Sequence, residues 1–563
     1  MHSLVFGRKR SGLSTGVKMR SVMIAAVGSG SGKTIVTAGL LMALKKRNIA
    51  VRSFKCGPDY IDPMFHTRVL GLPCRNLDLF LLGERGVLRE LSGIEGSDIP
   101  QETSGGRDDF SSDVLKRNQE SAMQESESSS GIGKAEQPLA VIEGVMGFYD
   151  GIGGTTEASA YDIARLLGTP VILVVKPRGQ SATLAAEICG LMNFRPENHI
   201  AGVILNECSA ALSDHLRSII ERECGIPVFG YLPKMEEAKV ESRHLGLLMA
   251  DEIPEFRDRF EAIAARMEET VEIDRILACM DFAESVTDQE NVLGEEIDRI
   301  KMHGADVTSE SLAGNVAVSV TDETEEQRLG AVILNANEIE FKDSESNISR
   351  RICRIAVARD EAFSFYYESS LDALRRAGAE LLPFSPLHDH CLPADVSGLY
   401  RGGGYPENYV KELSANREML RDIREAIEKG LPTVAECGGF MYLQEKLEGS
   451  DGNVYPMVGA LTGKAARTPR LVRFGYVTLT AEADSLLFRA GEPVPAHEFH
   501  HWDSTECGDA LTARKYDGRN WKCGVVNDRL YAGYPHLELG GDVPLAERFV
   551  RACREYAAIE CGL

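Results

Sequence analysis

Two short stretches, far apart in the chain, carry residue types and spacings that do chemistry. The first is Gly28-Ser29-Gly30-Ser31-Gly32-Lys33-Thr34, which follows an apolar run from Val22 to Val27. Gly/Ser turns that open a helix point backbone N–H groups and the helix dipole at an anion. Lys33 supplies a point charge for β- and γ-phosphates, and the Thr34 hydroxyl suits Mg²⁺. Val27 stands where the strict phosphate-loop template has glycine. The second stretch is Thr433-Val-Ala-Glu436-Cys437-Gly438-Gly439. A β-rich run, a cysteine and two glycines read as a nucleophile elbow, with the thiol at a helix N-terminus that would lower its pKa. Amides of Gly403, Gly404 and Gly438 are candidates for an oxyanion hole.

Further groups gather around these two. Lys55 precedes Cys56-Gly57-Pro58-Asp59-Tyr60-Ile61-Asp62, where a short β-rich run ends. Ligands of open α/β sheets bind outside the carboxyl ends of strands, so Asp59 and Asp62 read as Mg²⁺ ligands or, equally, as turn formers. Glu143, at the end of Leu139-Ala-Val-Ile, is a third candidate ligand. A thiolate needs a base. His536 with Glu538 two residues on offers a base and an orienting carboxylate on one side of an extended strand. The His497-Glu498-Phe499-His500-His501 cluster lacks a closed ligand set and reads as a substrate or domain contact.

The elements that must hold these residues alternate. After the phosphate loop, Ile35, Ala38, Leu41, Met42 and Leu44 recur at helical spacing. Strand-like and helix-like runs then alternate to Pro233 and again from Arg354, with one long helix expected over 408–428. Such alternation implies parallel sheets covered by helices. The reading divides the chain into a disordered basic tail (1–20), a first domain (21–250) with a polar insertion at about 95–137, a helical and acidic linker (251–350) and a second domain (351–563).

Composition narrows the functional classes. The chain has 563 residues, 43% hydrophobic and 26% charged, with a net charge of −23. That length exceeds one ordinary core, and that charge argues against nucleic acid or an anionic membrane as partner. No apolar run approaches the about 18 residues of a membrane span. Thirteen scattered cysteines without C-x-x-C spacing suggest free thiols in a reducing cytoplasm.

Together the motifs resemble a known pairing. Gly28 to Thr34, Phe54 to Pro63, Ile142 to Gly147 and Ser242 to Leu247 look like the synthetase half of the cobyrinic acid a,c-diamide synthase family. Arg354 to Phe363, Gly402 to Glu407, Glu436 to Gly439 and His497 to His500 look like its class I glutamine amidotransferase half. The resemblance implies an α/β fold: a dethiobiotin-synthetase-like P-loop sheet fused to a flavodoxin-like amidotransferase domain. It implies ATP- and Mg²⁺-dependent amidation of a corrinoid's a and c acetates through an acylphosphate, with glutamine as nitrogen donor. Cys437 would attack glutamine, His536 would shuttle protons and Glu538 would orient it. Gly28 to Thr34 would bind ATP, while Thr34, Asp59, Asp62 and Glu143 would serve the metal. Lys55, Tyr60 and Ile61 would meet the acceptor. The partners implied are small molecules, with a homodimer as one admissible assembly. The rival readings are a nickel-sirohydrochlorin a,c-diamide synthase and a regulatory ATPase with a degenerate amidotransferase domain.

Overall fold

The computed structural model describes residues 19–93, 138–238, 253–280 and 353–560. The basic tail, the polar insertion, most of the acidic linker and the 242–247 stretch expected from sequence lie outside those residues.

The first half is built on seven strands: β1 (Ser21–Ala26), β2 (Val51–Cys56), β3 (Cys74–Leu77), β4 (Leu139–Glu143), β5 (Val171–Val175), β6 (Ile200–Asn206) and β7 (Val228–Leu232). Their order is β3-β2-β4-β1-β5-β6-β7, and every pair is parallel. β1, β4 and β5 are buried along their whole lengths. Helices on both faces of a parallel sheet require such continuous apolar runs. The strand order turns back on either side of β1, so the loop after β1 opens at the crevice where such sheets bind ligands. Helix α1 (Lys33–Lys46) leaves that loop.

The segment expected to open a linker joins this core instead. A helix over Ile253–Thr270 places Phe260, Ile263, Ala264 and Met267 in the α1 cluster. It packs so closely that a Cβ at Gly39 would lie 2.5 Å from the Met267 sulfur. Apolar periodicity was present there, but its partner, the buried face of α1, lies more than two hundred positions upstream.

The second half has a six-stranded sheet ordered Ala379–Phe384, Cys353–Ala358, Gly398–Arg401, Thr433–Glu436, Leu530–Gly533 and Val525–Val526. Its first five strands are parallel and the last pairing is antiparallel. A five-stranded antiparallel sheet follows, ordered Asn520–Cys523, Leu511–Arg514, Arg473–Ala481, Val494–His500 and His536–Leu537. The helix expected over 408–428 is two helices, Val410–Ala415 and Arg417–Glu428. Asn416 divides them and caps the second by accepting from the Met419 N–H.

The halves meet along a polar and aromatic seam. Arg75 pairs with Glu90 at 2.6 Å and reaches Asp372 across the seam. Arg89 donates to the Gly540 carbonyl, and the Tyr476 hydroxyl donates to Asp78 at 2.7 Å. No helix among the described residues is long and apolar enough to cross a membrane.

Candidate active site

The phosphate loop has the backbone its sequence calls for. Gly30 and Gly32 take φ of +78° and +97°, a region that side-chain-bearing residues avoid. Asn206, at the end of β6, donates to the Ser31 carbonyl at 2.9 Å and fills the space beside Gly32. No side chain caps α1 at its start, so its first-turn amides are free for an anion. Lys33 lies across the loop and donates to the Gly28 and Met146 carbonyls. Burial, reinforced by the nearby Lys55 charge, lowers its pKa to about 8.

Around the loop stands a buried ionic cluster. Thr34 donates to Glu143 Oε1 at 2.7 Å, and Lys55 bridges Glu143 at 2.9 Å and Asp62 at 2.5 Å. His66, which the sequence reading did not single out, places Nε2 3.4 Å from Glu143 Oε2, while Ser53 binds its Nδ1 at 2.7 Å. Asp62, largely buried, is pushed up to about 7 by burial, whereas the cationic Lys55 and His66 hold Glu143 well below the usual carboxylate range despite burial. Asp59 turns one oxygen inward to accept from the Ile61 N–H at 2.8 Å, and Asn76 ties the loop down at the Gly57 and Asp59 carbonyls. Asp59 therefore fills the turn-forming role that the Pro-Asp pair allowed. Ile61 packs against the α1 core.

Among the described residues no three His, Cys, Asp or Glu side chains form a closed metal cluster. One hydroxyl and the carboxylates of Asp62 and Glu143 nonetheless fit Mg²⁺, which takes one or two carboxylates and completes its shell with water and phosphate oxygens.

In the second half, Cys437 caps the helix Gly438–Leu443 with φ +48° and ψ −103°, the strained conformation of a nucleophile elbow. A Cβ at Gly439 would lie 2.5 Å from the Arg401 carbonyl oxygen, so only glycine allows the tight turn. The Gly439 N–H donates to the Gly402 carbonyl at 3.1 Å and locks the elbow onto the glycine loop. The Gly438 amide faces the thiol, and the Gly404 nitrogen lies 3.1 Å from where a Gly438 Cβ would be. Gly403 borders the His536 ring. The Gly402 N–H is taken by the Tyr366 hydroxyl.

Two expectations are corrected here. Burial pushes the Cys437 thiol up, as do the nearby charges of Glu407, Glu436 and Glu498, so Cys437 rests as a thiol despite its helix N-terminus. Glu538 does not orient His536: its carboxylate is held by Ser369 at 2.7 Å, Ser370 at 2.8 Å and the Gly540 N–H at 2.9 Å. The strand ends at Leu537, so the two-residue alternation that placed both side chains on one side stops short of position 538. Glu436 lies beside His536 instead, 3.7 Å from Nδ1, and is fixed by the Leu537 N–H at 3.0 Å. It directly precedes Cys437, but nothing in its sequence position points to His536. Burial raises Glu436 to about 8 and lowers His536 to about 4, leaving a neutral imidazole that can accept a proton.

The two centres adjoin at Tyr60. Its ring lies parallel to Phe365 at 5.1 Å, stacks on Tyr367 at 4.5 Å and leans on His536 at 5.1 Å. The loop that carries Asp59 and Asp62 thus reaches His536 of the other half.

A phosphate loop on a parallel sheet, joined at this seam to a cysteine elbow on a second sheet, defines a two-domain enzyme of ATP-driven, glutamine-dependent amidation. Residues 20–242 match the model of an AAA domain, and residues 354–543 match a CobB/CobQ-like glutamine amidotransferase domain. The chain is 34% identical over 532 residues to the cobyrinate a,c-diamide synthase of Clostridium tetani, covering 93% of this chain and 98% of that one. It is 34% identical to that of Clostridium acetobutylicum, over 95% and 100% of the two chains, and 34% identical to that of Listeria innocua, over 92% and 96%. The chain belongs to the cobyrinate a,c-diamide synthase family.

Proposed function

We propose that the enzyme amidates the a and c acetate carboxylates of cobyrinic acid, a step of cobalamin biosynthesis. Glutamine supplies the nitrogen and ATP the driving force. The observation that carries this reading is the pairing of an intact phosphate loop with a Cys437–His536 elbow across one seam. A degenerate amidotransferase domain would have no reason to keep Cys437 together with His536.

In the amidotransferase half, His536 takes the Cys437 proton as glutamine arrives, and sulfur attacks the carboxamide carbon. The Gly404 and Gly438 amides, with Gly403 beside them, meet the negative oxygen that forms. His536 then protonates the departing ammonia, leaving a glutamyl thioester that water cleaves. In its ionised form, populated above about pH 8, Glu436 stabilises the imidazolium that forms at each proton transfer.

In the synthetase half, amides of Gly28 to Gly32 with Lys33 cradle the ATP phosphates, and Ser29 and Ser31 line the turn. An acceptor oxygen attacks the γ-phosphorus and ADP leaves. Ammonia then displaces phosphate from the acylphosphate, giving the amide. Thr34, Asp62 and Glu143, with Asp59 behind them, would hold Mg²⁺, which offsets repulsion between the reacting anions. Lys55, Tyr60 and Ile61 bound the acceptor side of that loop. The free cysteines among the described residues suit a reducing cytoplasm.

Exchanging Cys437 for serine tests the division of labour. Cys437→Ser is expected to lose glutamine-dependent amidation and keep ammonia-dependent amidation. Equal glutamine-dependent turnover in both proteins would refute the assignment.

A further inference from the structure

The described cysteines are all free thiols, and their surroundings differ. Two of them touch. Cys189 lies in the helix Ala182–Phe194, and Cys224 ends the helix Ala210–Cys224. Their sulfurs are 3.0 Å apart, and both residues are half-buried. The contact is set by packed helices. Leu184 and Ile188 of one share a buried cluster with Leu216 and Ile220 of the other, and Ser181 meets His215 at 3.2 Å. A disulfide bond is about 2.05 Å long, so the sulfurs need to approach by only about 1 Å to bond. Other cysteines lack one of the two conditions. Cys353 and Cys553 are neighbours but fully buried, and Cys391 is exposed without a thiol in contact among the described residues.

The two thiols are not equivalent. Cys189 reaches the Glu223 carbonyl at 3.6 Å on exposed surface, whereas Cys224 turns its thiol to the Ala185 carbonyl at 3.3 Å, against the neighbouring helix. Burial, and then Cys189 itself, push the Cys224 thiol up to about 12. Cys189 is therefore placed to meet a reagent from solvent, and Cys224 to react with what forms there.

We propose that Cys189 and Cys224 form a hydroperoxide-reactive dithiol that closes to a disulfide and braces these two helices. The Cys189 thiolate attacks one peroxide oxygen, so an S–O bond forms, the O–O bond breaks and hydroxide leaves. Hydroxide takes up the proton that Cys189 gave to solvent. The Cys224 sulfur then attacks the sulfenic sulfur, the S–S bond forms, and the hydroxyl leaves with the Cys224 proton as water. Two thiols are oxidised and one peroxide is reduced to water. Touching sulfurs make the second step intramolecular, so it outruns attack by another peroxide. The bond lies away from the synthetase chemistry. The second helix follows β6, where Asn206 supports the phosphate loop, and Cys224 is at its other end.

The test uses the full chain, reduced and then treated with hydrogen peroxide, with peptide masses read before any reductant is added. The expected product is a peptide pair joined through Cys189 and Cys224, about 2 Da lighter than the two thiol peptides together and parted again by a dithiol. Cys391 should gain oxygen instead. In Cys224→Ser, Cys189 loses its resolving thiol and should stop as a sulfenic acid that dimedone traps. In Cys189→Ser, Cys224 should stay reduced at the same dose. Hydrogen exchange gives the second readout. Amides of 182–194 and 210–224 should exchange severalfold more slowly in the oxidised chain, and Cys224→Ser should lose that difference. Sulfinic acid on Cys189 beside an unchanged Cys224 in the wild type would overturn the proposal. So would a pair that stays reduced while Cys391 is oxidised, or a disulfide that leaves the exchange unaltered.

Discussion

At the scale of single residues, the account turns on which carboxylate serves His536. Glu538, two positions on, accepts from two serines and a backbone amide, so it braces the segment behind the histidine. Glu436 sits beside the imidazole. Glu436→Gln is therefore expected to lower the glutaminase kcat by roughly tenfold or more, each factor of ten being about 1.4 kcal/mol of lost transition-state stabilisation. Glu538→Gln should lower the melting temperature with a smaller effect on kcat, and steady-state kinetics beside thermal melts separate the two. Glu407 supplies a second residue-scale prediction. Once ionised, above about pH 7, its negative charge helps keep the Cys437 thiol protonated. Glu407→Gln removes that charge, so the rise of glutaminase kcat/KM with pH should shift to lower pH. The turn at Cys437 and the loop before Lys33 and Thr34 were legible because their backbone demands glycines at fixed local positions. Glu436 was not, because its partner lies a hundred positions away and meets it only through adjacent strands.

At the scale of elements, strand and helix periodicity located the two sheets, since burial on both faces needs apolar runs that composition alone displays. Junctions were less visible. The break at Asn416 depends on a cap that competes with helix continuation. The seam depends on Tyr60, Asp78 and Asp372 meeting residues hundreds of positions away, which no local pattern encodes. The elbow is the most constrained element. An alanine at Gly439 would drive its Cβ into the Arg401 and Gly402 carbonyl oxygens, at 2.5 and 2.9 Å. Gly439→Ala should therefore abolish glutaminase activity while ammonia-dependent amidation persists in the same protein. Loss of both activities in a folded variant would show that the elbow also supports the synthetase half.

At the scale of the whole molecule, buried ionisable groups set how stability varies with pH. Burial raises Glu407, Glu498 and Glu538 to about 7 and Glu436 to about 8, while His66, beside Glu143 and Cys74, is raised to about 10. These groups stay protonated in the fold where the unfolded chain has lost the proton, so their contribution falls as pH rises. His536 and His500, lowered to about 4, act in the opposite sense below their unfolded value of 6.5. Above pH 6.5 that opposition ends, and below about 8 Lys33 has not begun to act. The melting temperature should decline from pH 6.5 to 8, as differential scanning calorimetry across that window would record.

The most direct measurement of the central claim is the mass of the product formed from cobyrinic acid, glutamine, ATP and Mg²⁺ by the purified protein. The account predicts two carboxylates converted to amides, with ATP consumed in step. ATP-dependent amidation of nickel-sirohydrochlorin but not of cobyrinic acid would contradict the assigned acceptor, and amidation of neither would contradict the enzyme itself.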